Sequence, residues 1–375
     1  MRSISDTIRR LRALQPPMPQ GRATYLDRLT DLRAFGTNPG MLRARIHIPA
    51  DLPENAPLVV VLHGCTQSAA GYDQGSGWSA LADLHRFAVL FPEQQRANNA
   101  NLCFNWFAPE DIRRDSGEAL SIRQMIETVV VAYGIDRNRI SVTGLSAGGA
   151  MASAMLATYP EIFAGGAIIA GLPYGSAATM QEAFDRMRGH GCPTGAALQA
   201  LLRGASSHKG PWPKISVWHG AADLTVSPSN MDRIVAQWRG VHRLDEKPTH
   251  TETSGKHGIQ VWRDAKGCAL IETHSIAGMG HGAPVDARSI EGGSIAAPFM
   301  LDVGISSTLE ISRFWGLTPV ADADENKAGP DALTREPVAA HGAAVLRPAT
   351  QRTDASTKGI TKVIQDALRA AGLMD

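Results

Sequence analysis

Runs of apolar residues alternate with helix-compatible segments along most of the chain. The segment "APLVVVLHG" is apolar at every position from Leu58 to Leu62, as expected of a central parallel strand that helices cover on both faces. Similar strand candidates recur in "FAVLFPE", "RISVTG", "GGAIIAG" and "KISVWHG". Helix-compatible stretches lie between several of them, at residues 118–134, after Ser146 and at residues 230–240. This alternation predicts an α/β fold with a mostly parallel, twisted sheet and helices on both faces.

The same patterns divide the chain into segments. The alternation in "MLRARIHIPADLP" predicts a half-exposed antiparallel strand at a sheet edge, and "LEISRFWGL" predicts a last helix that ends at Gly316. We therefore expect a folded domain over residues 36–317, preceded by an N-terminal extension, residues 1–35, with a short amphipathic helix. Residues 318–356 are rich in Ala, Pro, Asp and Thr and predict a flexible linker. An apolar stripe at helical spacing predicts an amphipathic helix over residues 357–375.

Composition excludes several classes of function. The chain has 37 Lys plus Arg against 36 Asp plus Glu, a net charge of +1, so no basic field would gather nucleic acid. No apolar run is long enough to predict a transmembrane segment. The N-terminal residues lack the apolar stretch of a secretion signal, which makes the cytoplasm the default compartment.

The cysteines and histidines form no recognisable metal motif. The four cysteines are far apart without a C-x-x-C pair, and no H-E-x-x-H occurs, which argues against a zinc site or a thioredoxin-type centre. Free thiols packed as small hydrophobic side chains are the simplest interpretation of the cysteines. We expect neither a metal nor an organic cofactor.

A serine between two glycines is the strongest candidate for chemistry. In "VTGLSAGGAMA", Ser146 stands where a β-rich run gives way to a helix-like run, the pattern of a nucleophile elbow in α/β-hydrolases. The pattern is short, and Ser146 could also be a small residue in a glycine-rich helix start. In that fold the acid and the histidine follow the nucleophile along the chain, and an early loop and the residue after the nucleophile, here Ala147, supply the oxyanion amides.

An acid and a base follow in the required order. Asp223 comes just past the strand in "KISVWHGAADLTVSP" and could turn toward the nucleophile, although an aspartate there could equally cap its own turn. His281 stands in "GMGHG", where glycines let a loop approach the serine closely. His219 is embedded in a strand but could support the site. His274 is expected to be structural, and the histidines of the polar stretch 242–260 are expected to be solvated.

Several segments together resemble one esterase family. The segments "LHGCTQSAAGYDQGSGW", "PEQQRANNANLCFNWF", "VTGLSAGGAMA", "HGAADLTVSPSN" and "GMGHGAP" resemble the polyhydroxybutyrate depolymerases, which are similar to feruloyl and acetylxylan esterases. The resemblance covers about residues 36–317. It implies an α/β-hydrolase fold with Ser146, Asp223 and His281 as the catalytic triad and an oxyanion amide on Cys65. It also implies a disulfide between Cys65 and Cys103.

The implied activity is that of a serine carboxylic-ester hydrolase. It would act through an acyl-enzyme on short-chain esters or hydroxyalkanoate oligomers. The alternatives are a feruloyl or acetylxylan-type esterase, or an acyltransferase, with the same triad. Candidate substrate-pocket residues, each of which could instead belong to the core or shape a loop, are His63, Trp78, Trp106, Tyr174 and Trp218.

The predicted C-terminal helix leaves a non-enzymatic alternative open. An inactive hydrolase fold could bind polymer granules through residues 357–375, or this helix could dock on the domain or on a second copy of the chain. The secreted depolymerases of the family suggest an extracellular location, whereas the missing signal suggests the cytoplasm.

Overall fold

The computed structural model describes residues 27–289 and 293–319. The predicted N-terminal helix, the predicted linker after residue 319 and the predicted C-terminal helix, with the contact expected through residues 357–375, lie outside the described residues. The strands are β1 (Thr30–Asp31), β2 (Arg43–His47), β3 (Leu58–Leu62), β4 (Ala88–Glu93), β5 (Ile140–Leu145), β6 (Gly165–Ile169), β7 (Lys214–Gly220), β8 (His250–Ser254), β9 (His257–Arg263), β10 (Ala269–Ile276), β11 (Ala283–Val285) and β12 (Met300–Asp302). The helices are α1 (Ala69–Ser76), α2 (Trp78–His85), α3 (Pro109–Ile112), α4 (Gly117–Tyr133), α5 (Ala147–Thr158), α6 (Met180–Met187), α7 (Gly195–Gly204), α8 (Ser229–His242) and α9 (Ser307–Trp315).

Ten strands form one mixed sheet in the order β1-β2-β4-β3-β5-β6-β7-β10-β9-β8. The six central strands, from β4 to β10 in this order, are parallel, and antiparallel strands extend the sheet at both edges. The predicted α/β fold with a mostly parallel sheet is confirmed. Because the central strands are parallel, their carboxyl ends open on the same side of the sheet, where such folds bind ligands.

The sheet begins earlier than the predicted boundary at residue 36. Strand β1 pairs with β2, with Thr30 opposite Ile46, and the side chain of Leu29 is buried in the core. The alternating segment that predicted an edge strand therefore forms the second strand, and residues 27–35 belong to the domain.

Helices cover both faces of the central strands. Along β3 the side chains alternate: Val60 packs in the layer that contains Met125 of α4, and Val61 packs in the opposite layer with Trp78 of α2 and Trp315 of α9. The rings of Trp78 and Trp315 are stacked with centroids 6.0 Å apart. A strand that is buried on both faces is thus apolar at every position, as its sequence predicts. Nowhere in the described ranges does a helix have the length and apolar character that crossing a membrane requires.

The histidines of the polar stretch 242–260 are not all solvated as predicted. It includes the whole of β8 and the start of β9, which form a hairpin at the sheet edge. His257 is half-buried and its Nε2 lies 2.8 Å from Nδ1 of His274, while Nε2 of His242 donates to the carbonyl of Pro213 at 3.0 Å. Burial lowers the pKa of His242 to about 4. The prediction of solvated side chains was wrong for these two histidines and agrees with the exposure of His250 alone.

Candidate active site

Ser146 occupies a sharp turn between β5 and α5. Its backbone has φ +57° and ψ −118°, a conformation that costs an L-residue energy and that the surrounding structure must impose. The flanking glycines permit the turn because a Cβ on Gly144 would lie 2.3 Å from the carbonyl oxygen of Gly148, and one on Gly148 would lie 2.3 Å from that of Leu62. The G-x-S-x-G spacing therefore lets α5 approach β5 and β3 closely and leaves the Ser146 hydroxyl at the carboxyl end of the central strand β5.

A hydrogen-bonded chain joins the three residues predicted to act together. The loop after β10 brings His281 to Ser146, with 2.9 Å between Nε2 and Oγ. On its other side, Nδ1 of His281 lies 2.7 Å from Oδ2 of Asp223, which follows β7. Because the carboxylate can only accept, Nδ1 carries the proton and Nε2 is free to accept from the Ser146 hydroxyl.

The environment of Asp223 favours its ionised form. Its Oδ1 accepts from the backbone N–H groups of Thr225 at 2.8 Å and Val226 at 2.9 Å. Burial by itself would raise the pKa of Asp223, but the hydrogen bonds from His219 and His281 outweigh it and hold the pKa well below its ordinary value. Nε2 of His219 lies 3.3 Å from Oδ2 of Asp223 and 2.9 Å from the carbonyl oxygen of Val226. His219 therefore supports the acid and its loop.

Two backbone amides beside Ser146 are available to a ligand. In the loop after β3, the N–H of Gly64 donates to Oε1 of Gln67 and the N–H of Thr66 donates to the carbonyl of Asn101. Within the described ranges, the N–H groups of Cys65 and Ala147 donate to no protein group. Ala147 is also the first residue of α5, where the helix dipole favours negative charge.

The loop that carries Cys65 is tied to a second segment. A disulfide joins Cys65 to Cys103, and both residues line the same cleft as Ser146. The other two cysteines, Cys192 and Cys268, are free thiols.

The cleft beside Ser146 is mostly apolar and encloses about 1030 Å³, including its open mouth. Its larger apolar walls are Trp106, Phe107, Leu172, Met180, Phe184, Met187, Val226 and Phe299. Among the described residues that line it there is no Asp, Glu, Lys or Arg, and His281 is the one histidine. A second, more open groove of about 770 Å³ adjoins the cleft, and Thr66 and Gln67 line both spaces.

Of the five predicted pocket residues, the structure places only Trp106 in the wall of the cleft. Trp218 is completely buried and stacks on His274 with ring centroids 3.7 Å apart, and Trp78 is buried in the core layer that contains Val61. Tyr174 packs against the main core cluster. Trp78 and Trp218 are core residues and Tyr174 does not line the cleft; the sequence could not separate these roles because large aromatic side chains serve cores and pockets equally well.

The fifth, His63, is buried and fully hydrogen-bonded. Its Nδ1 donates to the carbonyl of Gly64 at 2.8 Å, and its Nε2 accepts from the N–H of Gln94 at 3.1 Å. The cleft residues that the sequence interpretation missed include Met180, Phe184 and Met187 of α6, whose helical spacing on one face is an apolar signal that could have identified them.

Side chains of metal-ligand type do not gather elsewhere: over residues 27–289 and 293–319, no three His, Cys, Asp or Glu side chains are grouped as a metal ion requires. At Ser146 the histidine and the carboxylate are placed to activate the serine hydroxyl by proton transfer.

Comparison with known proteins places the chain in a family. Residues 44–253 match the model of the family described as Esterase PHB depolymerase. The chain belongs to this family. Poly(3-hydroxyalkanoate) depolymerase C of Paucimonas lemoignei is 48% identical over 291 residues, which are 77% of this chain and 70% of that protein.

More distant members of the esterase group are also similar. The acetylxylan esterase of Coprinopsis cinerea is 31% identical over 72% of this chain and 73% of its own length. The structure of an acetyl xylan esterase from Aspergillus awamori superposes with a TM-score of 0.66 at 24% identity, over 77% of this chain and 99% of that chain, which confirms the α/β-hydrolase fold. A member of the Esterase PHB depolymerase family with this fold is a carboxylic ester hydrolase, as the resemblance implied.

Proposed function

We propose that the protein hydrolyses carboxylic esters through an acyl-enzyme on Ser146. The observation that carries this proposal is the hydrogen-bonded chain from Ser146 through His281 to Asp223, which opens on a cleft beside two unpaired amides. A serine hydroxyl needs such a base to become nucleophilic, and the base needs an acid to fix its tautomer.

Each group has one role in this mechanism. His281 takes the proton of Ser146 as Oγ attacks the ester carbonyl, and the N–H groups of Cys65 and Ala147 donate to the oxyanion that forms. His281 then protonates the leaving alcohol, which departs and leaves the acyl group on Ser146. A water molecule that loses its proton to the same histidine releases the carboxylic acid. Asp223 stabilises the imidazolium in both stages.

The polarity of the site favours an uncharged, apolar substrate. The apolar cleft has no charged partner for an ionic acyl group. The adjoining groove is lined by the polar residues Thr66, Ser68 and Gln74 and by the aliphatic residues 295–298. Among the described residues that line it there is no aromatic side chain on which a sugar could stack. Together with the similarity to a poly(3-hydroxyalkanoate) depolymerase, this supports hydroxyalkanoate oligomers and short-chain esters as the substrates.

Substitution of the nucleophile tests the mechanism. Ser146→Ala should lower kcat on p-nitrophenyl butyrate by about six orders of magnitude, and a fluorophosphonate probe should label the wild type and not this variant. Ser254→Ala, at an exposed position of β8, is the matched control and should be labelled normally. Retention of most activity by Ser146→Ala would disprove the mechanism.

The substrate class needs a separate measurement. Initial rates on 3-hydroxybutyrate trimer, ethyl butyrate, a feruloyl ester and acetylated xylooligosaccharide, at equal enzyme concentration, should be highest for the first two. A higher kcat/KM on the feruloyl or acetylated sugar substrate would assign the protein to that activity. Alcohol added as a competing acceptor would reveal acyl transfer by forming a new ester.

A further inference from the structure

A buried carboxylate outside the triad lies under the loop that carries Cys65. Glu118, the second residue of α4, is completely buried. Its Oε1 accepts from Nε2 of Gln94 at 2.6 Å and from Nδ2 of Asn98 at 3.3 Å, and its Oε2 accepts from the N–H of Asn105 at 2.9 Å. Every one of these partners is a donor, so the carboxylate holds Gln94, Asn98 and Asn105 together.

One path leads from Glu118 to the peptide that carries the Cys65 amide. Glu118 fixes the side chain of Gln94, and the backbone N–H of Gln94 donates to Nε2 of His63. That bond leaves the proton on Nδ1 of His63, which donates to the carbonyl oxygen of Gly64 at 2.8 Å. The carbonyl of Gly64 and the N–H of Cys65 belong to the same planar peptide unit. A hydrogen bond that fixes the direction of this carbonyl therefore also fixes the direction of the Cys65 N–H.

A second path reaches the same loop through the disulfide. Nε2 of Gln94 also donates to the carbonyl oxygen of Cys103 at 3.0 Å, and Cys103 is covalently joined to Cys65. Asn105, which donates to the other oxygen of Glu118, is two residues further along the same segment. The carboxylate thus holds both Gln94, whose N–H contacts His63, and the segment that the disulfide joins to Cys65.

We propose that Glu118 is a positioning residue for ester hydrolysis, which sets the orientation of the Cys65 N–H through Gln94 and His63. The inference rests on the proposed function, because it assumes that this N–H stabilises the oxyanion. Glu118 touches no reacting atom, and its effect is to prevent the Cys65 peptide from rotating when negative charge develops on the substrate. Preorganised donors of this kind need no rearrangement at the moment of reaction.

The substitution Glu118→Gln removes one acceptor while keeping the volume of the side chain. A glutamine has one carbonyl oxygen and one NH2 group, so either Gln94 or Asn105 would face another donor. Burial and the neighbouring Asp111 carboxylate raise the pKa of the Glu118 carboxyl, whereas its N–H donors favour the ionised form that accepts from all of them. Removal of an oxyanion donor itself costs about 100- to 1000-fold in rate, so loosening one should cost about 10- to 100-fold.

The test compares Glu118→Gln with a buried carboxylate that, among the described residues, makes no hydrogen bond to the oxyanion loop. Asp73 is also buried. Its carboxylate accepts from the N–H of Ser79 at 2.8 Å and from the hydroxyl of Ser79 at 2.6 Å. Both Glu118→Gln and Asp73→Asn should lower the melting temperature. Only Glu118→Gln should lower kcat on p-nitrophenyl butyrate by 10-fold or more with KM changed less than twofold. It should also weaken the binding of butyl boronic acid by a similar factor, because the serine adduct of this inhibitor places an oxygen in the oxyanion position.

The outcomes separate this inference from a structural role and from the proposed function. If kcat and boronate affinity of Glu118→Gln match those of Asp73→Asn, Glu118 only stabilises the fold and the inference is overturned. If Glu118→Gln does not fold, Gln94→Met provides the same readout, because it removes the link to Glu118 and keeps the backbone N–H to His63. Failure of the proposed function would be seen instead as activity in Ser146→Ala, whatever the Glu118 variants do.

Discussion

Gly148 is the position where the geometry of the site depends most directly on a missing side chain. A Cβ there would lie 2.3 Å from the carbonyl oxygen of Leu62 and 2.5 Å from that of His63, whereas real Cβ contacts start at 3.0 Å. Both contacts are backbone atoms that cannot rotate away. In Gly148→Ala, α5 and the end of β3 would therefore have to separate by about 0.7 Å or more.

This separation acts on the two segments that carry the proposed oxyanion amides. Ala147 precedes Gly148, and Cys65 follows His63 by two residues. A misplacement of about 1 Å in a catalytic constellation costs about 100-fold in rate, so we expect kcat of Gly148→Ala to fall by about 100-fold. Forcing an extra methyl group into a packed interior should also lower the free energy of unfolding by about 1–3 kcal/mol.

The assay is kcat on p-nitrophenyl butyrate, together with urea unfolding followed by tryptophan fluorescence. Gly204→Ala is the matched control, because a Cβ at this last residue of α7 has no atom within 4 Å. It should leave kcat unchanged and stabilise the protein by about 0.5–1 kcal/mol. Wild-type kcat and stability in Gly148→Ala would refute the reasoning that the close approach of α5 to β3 positions the amides.

Three further predictions concern pH, redox state and substrate length. Burial keeps His242 neutral with a pKa of about 4, below its unfolded value of about 6.5, so its stabilisation is complete above pH 6.5. The free energy of unfolding should fall by about 3 kcal/mol as the pH falls from 6.5 through 4. An equal fall between pH 7 and 4 in His242→Gln, measured by urea unfolding, would contradict this. Reduction of the Cys65–Cys103 disulfide, which spans 38 residues, should lower the free energy of unfolding by about 4 kcal/mol; identical urea midpoints with and without dithiothreitol would exclude this. Ala296→Trp, which narrows the groove, should reduce kcat/KM on hydroxybutyrate trimer at least tenfold relative to ethyl butyrate, and an unchanged ratio, as in the exposed-turn control Ala265→Trp, would rule out the groove as a substrate site.

The central fold could be predicted because its physical cause is visible in short segments of sequence. Strands β3 and β6 are buried at every position, so an uninterrupted apolar run identifies each of them. Strand β8 is exposed at every position, and its place at the sheet edge comes from pairing with β9 rather than from any apolar pattern. A polar edge strand is therefore not distinguishable from a loop by periodicity alone.

The candidate site divides along the same line. Ser146, Asp223 and His281 could be proposed from strand ends and glycine-flanked loops, since the chain order of these groups is a property of the fold. The role inferred for Glu118 could not, because its partners between residues 94 and 105 reach it only in the folded protein. Which aromatic residues line the pocket could not be predicted for a related reason. Trp218 and Trp106 differ in what surrounds them and not in any local sequence signal.

The apolar walls of the cleft come largely from segments that lie between the strands. Met180, Phe184 and Met187 belong to α6, and Trp106 and Phe299 belong to connecting loops. Helix α6 is only partly buried, with Ala183 its one fully buried residue. New acyl preferences could therefore be engineered by exchanging this helix as a cassette, while the strand ends that hold the nucleophile, acid and base stay untouched.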